Sequence, residues 1–113
     1  MKFFSIGIVG YRNFHDYELF KEKVKDITPS RIVSGGCKGT DTLAKRYAQE
    51  HNIPLIEHLP KGHQRYDFLN RNSLIVDDSS ILIAFVHKDS KGTYDTINKA
   101  KKRQGMKIYE IEI

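Results

Sequence analysis

Apolar runs and helical stripes alternate along this chain at intervals too short for anything but one repeated strand-and-helix unit. Residues 3–9 read as a buried strand, and Tyr17, Phe20, Val24 and Ile27 follow at spacings of three and four, with Asp16 placed as an N-cap. Residues 31–34 form a second short strand. Leu43, Ala44, Tyr47 and Ala48 then make the apolar stripe of a helix from about Thr40 to His51. Residues 54–59 form a third strand bracketed by Pro54 and Pro60, which suits a sheet edge because proline cannot donate to a ladder. A third helix over 66–77 leads to an unbroken apolar strand over 81–86, of the kind buried on both faces. A fourth helix over 93–104, with Tyr94, Ile97 and Ala100 inward, stops at Gly105 and hands over to an alternating strand over 107–113. Strict alternation predicts an α/β fold: a Rossmann-like three-layer sandwich with a five-stranded, mainly parallel sheet, right-handed crossovers and helices on both faces.

Composition narrows the function classes. The 113 residues, 39% of them hydrophobic, supply one core, so a single domain over 1–113 is expected. No stretch approaches the roughly 18 to 20 apolar residues of a membrane span, and residues 1–4 run into a strand pattern without a cleavage site, which predicts a cytoplasmic protein with no membrane partner. The lone Cys37 excludes an internal disulfide. His15, His51, His58, His63 and His87 lack the paired spacing of zinc ligands, so no metal and no resident cofactor are expected. The net charge of +5 favours an anionic partner. Its densest cluster, Lys99, Lys101, Lys102, Arg103 and Lys107, reads as the solvated face of the last helix.

In an open parallel sheet, ligands bind outside the carboxyl ends of the strands, where the strand order reverses. After the first strand come Gly10, Tyr11 and Arg12; after the second, Gly35, Gly36, Cys37, Lys38, Gly39, Thr40 and Asp41. Residues 61–65 follow the third strand, and residues 87–93, with Ser90, Lys91, Gly92 and Thr93, follow the fourth. The opposite-rim connections, at 28–30, Asn52, 77–80 and Gly105, look like plain turns. Two glycine loops thus lead from strand ends into helices beginning at a threonine, and their unpaired N–H groups and positive helix ends predict a phosphate held between them. Glycines let the backbone approach closely, Thr40 donates a hydroxyl, Asp41 caps the helix or reaches a ribose, and Lys38 adds a charge. Ser90 and Lys91 close over the ligand, while Arg12 offers a planar fork to phosphate. Tyr11 stacks on a base or simply occupies the sheet rim. Arg71 and Asn72 form a polar pair in the middle of the third helix. Cys37 has no base fixed beside it, so it is read as part of the loop and not as a nucleophile.

Five of these segments, in order, resemble the YspA-type branch of the SLOG superfamily, named after Smf/DprA and LOG proteins. They are Gly10-Tyr11-Arg12; Val33-Ser34-Gly35-Gly36-Cys37-Lys38-Gly39-Thr40-Asp41 with Ala44; Arg71-Asn72; Ile83-Ala84-Phe85; and Gly92-Thr93-Tyr94-Asp95 with Ala100. The resemblance covers nearly the whole chain. It implies strand order 3-2-1-4-5, a nucleotide or nucleotide-derived ligand at the glycine loops, and Arg71 and Asn72 near that site. Members of the superfamily often self-associate, and Leu69, Leu74 and Ile75 on the third helix either face a partner subunit or are buried within the same chain. Different branches sense signalling nucleotides, cleave the N-glycosidic bond of nucleoside monophosphates, or serve DNA-handling proteins. The glycosidase branch carries Pro-Gly-Gly-x-Gly-Thr-x-x-Glu, whose glutamate supports loss of the base. Here that position is Thr96, and Asp95 lies one residue early, about 100° round the helix. The expected function is therefore binding of a nucleotide-derived small molecule as sensor, carrier or sequestering protein. The alternatives are an N-glycosidase using Asp95 or Asp41, and a single-stranded nucleic-acid binder using the cluster from Lys99 to Lys107.

Overall fold

A computed structural model of the chain describes residues 4–27 and 29–113. Its elements are β1 (Ser5–Gly10), α1 (Tyr17–Val24), β2 (Arg31–Ser34), α2 (Thr40–Glu50), β3 (Leu55–Glu57), α3 (Arg65–Asp77), β4 (Ile81–Val86), α4 (Lys91–Lys101) and β5 (Lys107–Glu112). Phe3, expected at the start of the first strand, and Thr28, expected in the first helix-to-strand turn, lie outside the described residues.

The sheet has five strands in the order β3-β2-β1-β4-β5, and every pairing is parallel. From β1 the chain steps outward through β2 to β3, then returns to the other side of β1 for β4 and β5. Right-handed crossovers in these two directions put α1 and α2 on one face and α3 and α4 on the other. The order reverses between β1 and β4, whose registers run from Ile6 opposite Ile81 to Gly10 opposite Phe85.

Alternation along the central strands builds two cores. Ile83 and Phe85 of β4 join Ile6 and Ile8 of β1 against Phe20, Leu43 and Tyr47, while Leu82, Ala84 and Val86 face Ile75, Val76, Ile97 and Ala100. Phe85 anchors the first core, its ring stacked 5.1 Å from that of Phe20 and 5.2 Å from that of Phe14. Asp16 caps α1, its carboxylate accepting the Leu19 amide at 3.1 Å.

Three expectations need correction. β3 is only three residues long, although it does lie at the edge, and its pairing with β2 is flanked by the Pro54 carbonyl accepting from Ile32 and the His58 amide donating to Ser34. α4 begins at Lys91 rather than Thr93 and ends at Lys101, with Gly105, at φ +81°, in the following turn. The earlier start sets the phase of the helix. Thr93, Thr96, Ile97 and Ala100 are buried, and Tyr94, expected inward, is 41% exposed.

Candidate functional site

The carboxyl ends of β1, β2 and β4 and the flank of α3 enclose a cavity of about 530 Å³ at the switch point. Its apolar floor continues into the core under α3 and α4 through Val9 and Ile75. Of the residues expected at a site, Gly10, Tyr11, Arg12, Cys37, Asp41, Arg71, Asn72, Ser90, Lys91, Gly92, Thr93 and Asp95 line it. Gly35, Gly36, Lys38, Gly39 and Thr40 do not. Their reasons differ. Thr40 is fully buried, and both its amide (3.3 Å) and its hydroxyl (2.9 Å) donate to the Tyr11 carbonyl, so that hydroxyl is not free for a ligand. Gly39, at φ +78°, lets the β1–α1 loop pass so close that an added Cβ would lie 2.7 Å from the Tyr11 oxygen. Gly35 makes room for Arg71, whose Nη1 donates to the Gly35 carbonyl at 2.7 Å. Gly36 and Lys38 are exposed.

The β2–α2 loop curls around a carboxylate of its own chain. The Cys37 amide donates to Asp41 Oδ2 at 3.1 Å, and the nearby Gly35 amide also favours the charged carboxylate. Burial pushes the Asp41 carboxyl from 3.8 up to about 6, against the lowering pull of the Cys37 amide, the Arg71 guanidinium and the Gly35 amide. A raised carboxyl in the folded state means that the native protein holds this proton more tightly than the unfolded chain. The resulting stabilisation is fully present below about 3.8 and is lost as pH rises through about 6. A shift of this size is worth about 3 kcal/mol. Relative to Asp41→Asn, the wild type should therefore lose about that much unfolding free energy between pH 4 and 7 in urea titrations. Parallel pH profiles would contradict the assignment.

A polar chain crosses from that loop to α4. Arg71 Nε donates to Asn72 Oδ1 at 2.9 Å, and the buried Asn72 amide donates to Asp95 Oδ2 at 3.1 Å and reaches the Gly92 carbonyl at 3.4 Å. Lys99 Nζ pairs with Asp95 from one turn along the helix. Asp95 is thus a tethered carboxylate that fixes the first turn of α4 to α3. Thr96, in the position that the resemblance assigns to a glutamate, is buried and donates its hydroxyl to the Gly92 carbonyl at 3.2 Å.

The start of α4 is different in kind. Lys91 donates its amide to Asp89 and Tyr94 donates to Ser90, while the amides of Gly92 and Thr93 between them have no acceptor among the described residues. The Ser90 hydroxyl, which would ordinarily cap them, instead accepts from the His87 amide at 3.0 Å. Thr93 is 6% exposed, lines the cavity, and makes no hydrogen bond through its hydroxyl to any described residue. Around the mouth, Arg12, Arg65 and Lys91 are exposed and make no ion pair with a described residue.

Phe68 and Leu69 line the cavity beyond the residues expected there, together with Arg65, which closes the loop over 61–65 expected on this rim. Their signal is the helix period, since residues 65, 68, 69, 72 and 75 share one face of α3 with Asn72, the site residue of that set. Leu69 and Ile75, candidates for a subunit contact, turn into the cavity and core of the same chain, and Leu74 alone of the three is exposed. Tyr11 stacks on His87, with ring centroids 4.2 Å apart. The basic residues from Lys99 onward sit at the other end of α4 from the free amides, with Lys99 paired to Asp95 and Arg103 to Asp77. No helix among the described residues is long and apolar enough to cross a membrane.

No curated protein matches the chain. A family model described as YAcAr, the YspA, cpYpsA-related SLOG family, matches residues 5–64, from β1 through the β2–α2 loop to the loop after β3. The free amides of α4 and the Arg71 to Asp95 chain fall outside that span. With an all-parallel 3-2-1-4-5 sheet, glycine loops on its carboxyl rim and more than half its length matched, the chain belongs to the YspA, cpYpsA-related SLOG family, whose membership suggests nucleotide-related ligand binding or a related activity.

Proposed function

We propose that this protein binds a nucleotide-derived small molecule in the cavity at the β1/β4 switch point, with a phosphate on the first turn of α4 and the base against Phe68, Leu69 and Tyr11. One observation carries the reading: two helix-start amides and a buried threonine hydroxyl, all without a partner among the described residues, converge on a single cavity. Gly92 supports it further. Its backbone does not have positive φ and an added Cβ would touch nothing within 4 Å, so neither conformation nor packing in the chain itself requires glycine there. A phosphate resting on the backbone does require it. The exposed cations at the mouth suit the anion, and a cavity of about 530 Å³ suits a mononucleotide-sized molecule.

Binding without turnover is the form best supported. Asp95 is tied to Asn72 and Lys99, Asp41 to the β2–α2 loop, and Thr96 has no carboxylate to offer. The test is a thermal-shift panel of mononucleotides, dinucleotides, cyclic nucleotides and ADP-ribose-type compounds, with released base assayed in the same tubes. A ligand of the native state raises the melting temperature with concentration. The expected result is a saturable rise with at least one mononucleotide and no free base. Stabilisation by an oligonucleotide alone, with steep salt dependence, would contradict it.

A further inference from the structure

We propose that Asp41 is a specificity-determining residue of this cavity: its carboxylate fills the anion seat of the β2–α2 loop, so that the cavity takes a ligand with one phosphoryl group, at α4, and rejects a second. The inference rests on the phosphate-binding reading above and adds how many phosphoryl groups the site admits.

The two glycine loops reach the same cavity in opposite states. In the β2–α2 loop, positive φ at Gly36 (+68°) turns the chain between the Gly35 and Cys37 amides, and positive φ at Gly39 (+78°) leads into the helix whose Asp41 accepts the Cys37 amide. Successive amides arranged this way form a seat for an anion. The anion is already there, because Asp41 is 8% exposed, lines the cavity and accepts the Cys37 amide, with the Gly35 amide also favouring its charged form. At α4 the amides of Gly92 and Thr93 are free, and the buried Thr93 hydroxyl, unpartnered among the described residues, points to a ligand independently of the helix end. Asp41 lines the same cavity as Gly92 and Thr93, so a ligand with phosphoryl groups in tandem, starting at α4 and reaching toward β2, would bring its second group toward that carboxylate. Of the charged groups facing that carboxylate, the Arg71 guanidinium offsets part of its charge and Glu57 of β3 adds to it, so a second phosphoryl group would still meet a carboxylate that burial leaves poorly solvated. Like charges brought together out of water repel strongly.

Two substitutions test this, with AMP, ADP and inorganic phosphate as probes in calorimetric titrations and melting curves. Wild type should bind AMP about tenfold or more tighter than ADP. Asp41→Asn, which keeps an acceptor for the loop amides and removes the charge, should bring the two within about threefold. Asp41→Ala empties the seat, so inorganic phosphate should raise its melting temperature even when combined with Gly92→Val, which closes the α4 seat. An AMP-to-ADP ratio that is the same in wild type and Asp41→Asn would overturn the inference while leaving nucleotide binding intact. A folded Asp41→Ala/Gly92→Val protein that ignores phosphate would overturn it too. Phosphate stabilisation of Asp41→Ala, with no response of the wild type to any probe, would support the filled seat and contradict the nucleotide-binding reading instead.

Discussion

Gly92→Val is expected to lower affinity for the phosphate-bearing ligand by about 100-fold or more while leaving the fold as stable as before. The isopropyl group would stand over the free amides of Gly92 and Thr93, and losing two charge-assisted hydrogen bonds at about 1.5 to 3 kcal/mol each accounts for that size of effect. The fold has no reason to object. An added Cβ meets nothing within 4 Å, and glycine in a helix is itself unfavourable by about 1 kcal/mol relative to alanine, so the change in unfolding free energy should be under about 0.5 kcal/mol. Titration and urea unfolding of the same preparation check both halves. Unchanged affinity would remove the α4 seat from the site; a collapse of stability would mean that the glycine serves packing after all.

Gly39→Ala should do the reverse, costing about 3 kcal/mol or more of stability. Positive φ for a residue with a Cβ costs about 1 to 2 kcal/mol. The new atom would also press on the carbonyl groups of Arg12 and Tyr11, which are backbone and cannot swing aside. Moving that loop breaks the hydrogen bonds from Thr40 to the Tyr11 oxygen, at about 1 kcal/mol each. Against a typical domain stability of about 5 to 15 kcal/mol, such a loss lowers the melting temperature by roughly 10 °C or more. Gly105→Ala is the control. It has the same sign of φ, at +81°, and nothing within 4 Å, so it should show the backbone term alone, about 1 kcal/mol. Equal losses at the two positions would contradict the packing argument.

That contrast marks where sequence reading stops. The order of elements and the rim on which Gly10, Gly35 and Gly92 fall follow from local periodicity, a property of neighbouring residues, whereas the strand order 3-2-1-4-5 follows only from the resemblance to the SLOG superfamily. What each glycine is for depends on the atom opposite its missing Cβ, and that atom comes from elsewhere in the chain. Gly39 meets the β1–α1 loop, Gly35 meets α3, and Gly92 meets open space. Thr40 and Thr93 look alike in sequence, each following a glycine at a helix start. One is spent on Tyr11 and the other is free, because only the first helix start is covered by another loop.

The phase of α4 is illegible for a related reason. Glycine is a poor helix former, so Lys91 and Gly92 read as loop, and apolarity alone favours Tyr94 over Thr93 and Thr96 as an inward residue. The small threonines fit where the helix packs close to β4 and α3, and the larger ring is left outside. Asp41 is the least legible case. A carboxylate at a helix start reads as a cap or a ribose contact, and only the loop curvature set by Gly36 and Gly39 reveals that it holds the amides of the preceding turn.

The central claim is that a phosphate seats on the free amides at the start of α4, and an amide-resolved NMR titration with AMP tests it most directly. The account predicts that the Gly92 and Thr93 amide signals move saturably and furthest, with those of residues 99–107 nearly still. Fixed Gly92 and Thr93 signals, or largest shifts among residues 99–107, would contradict it.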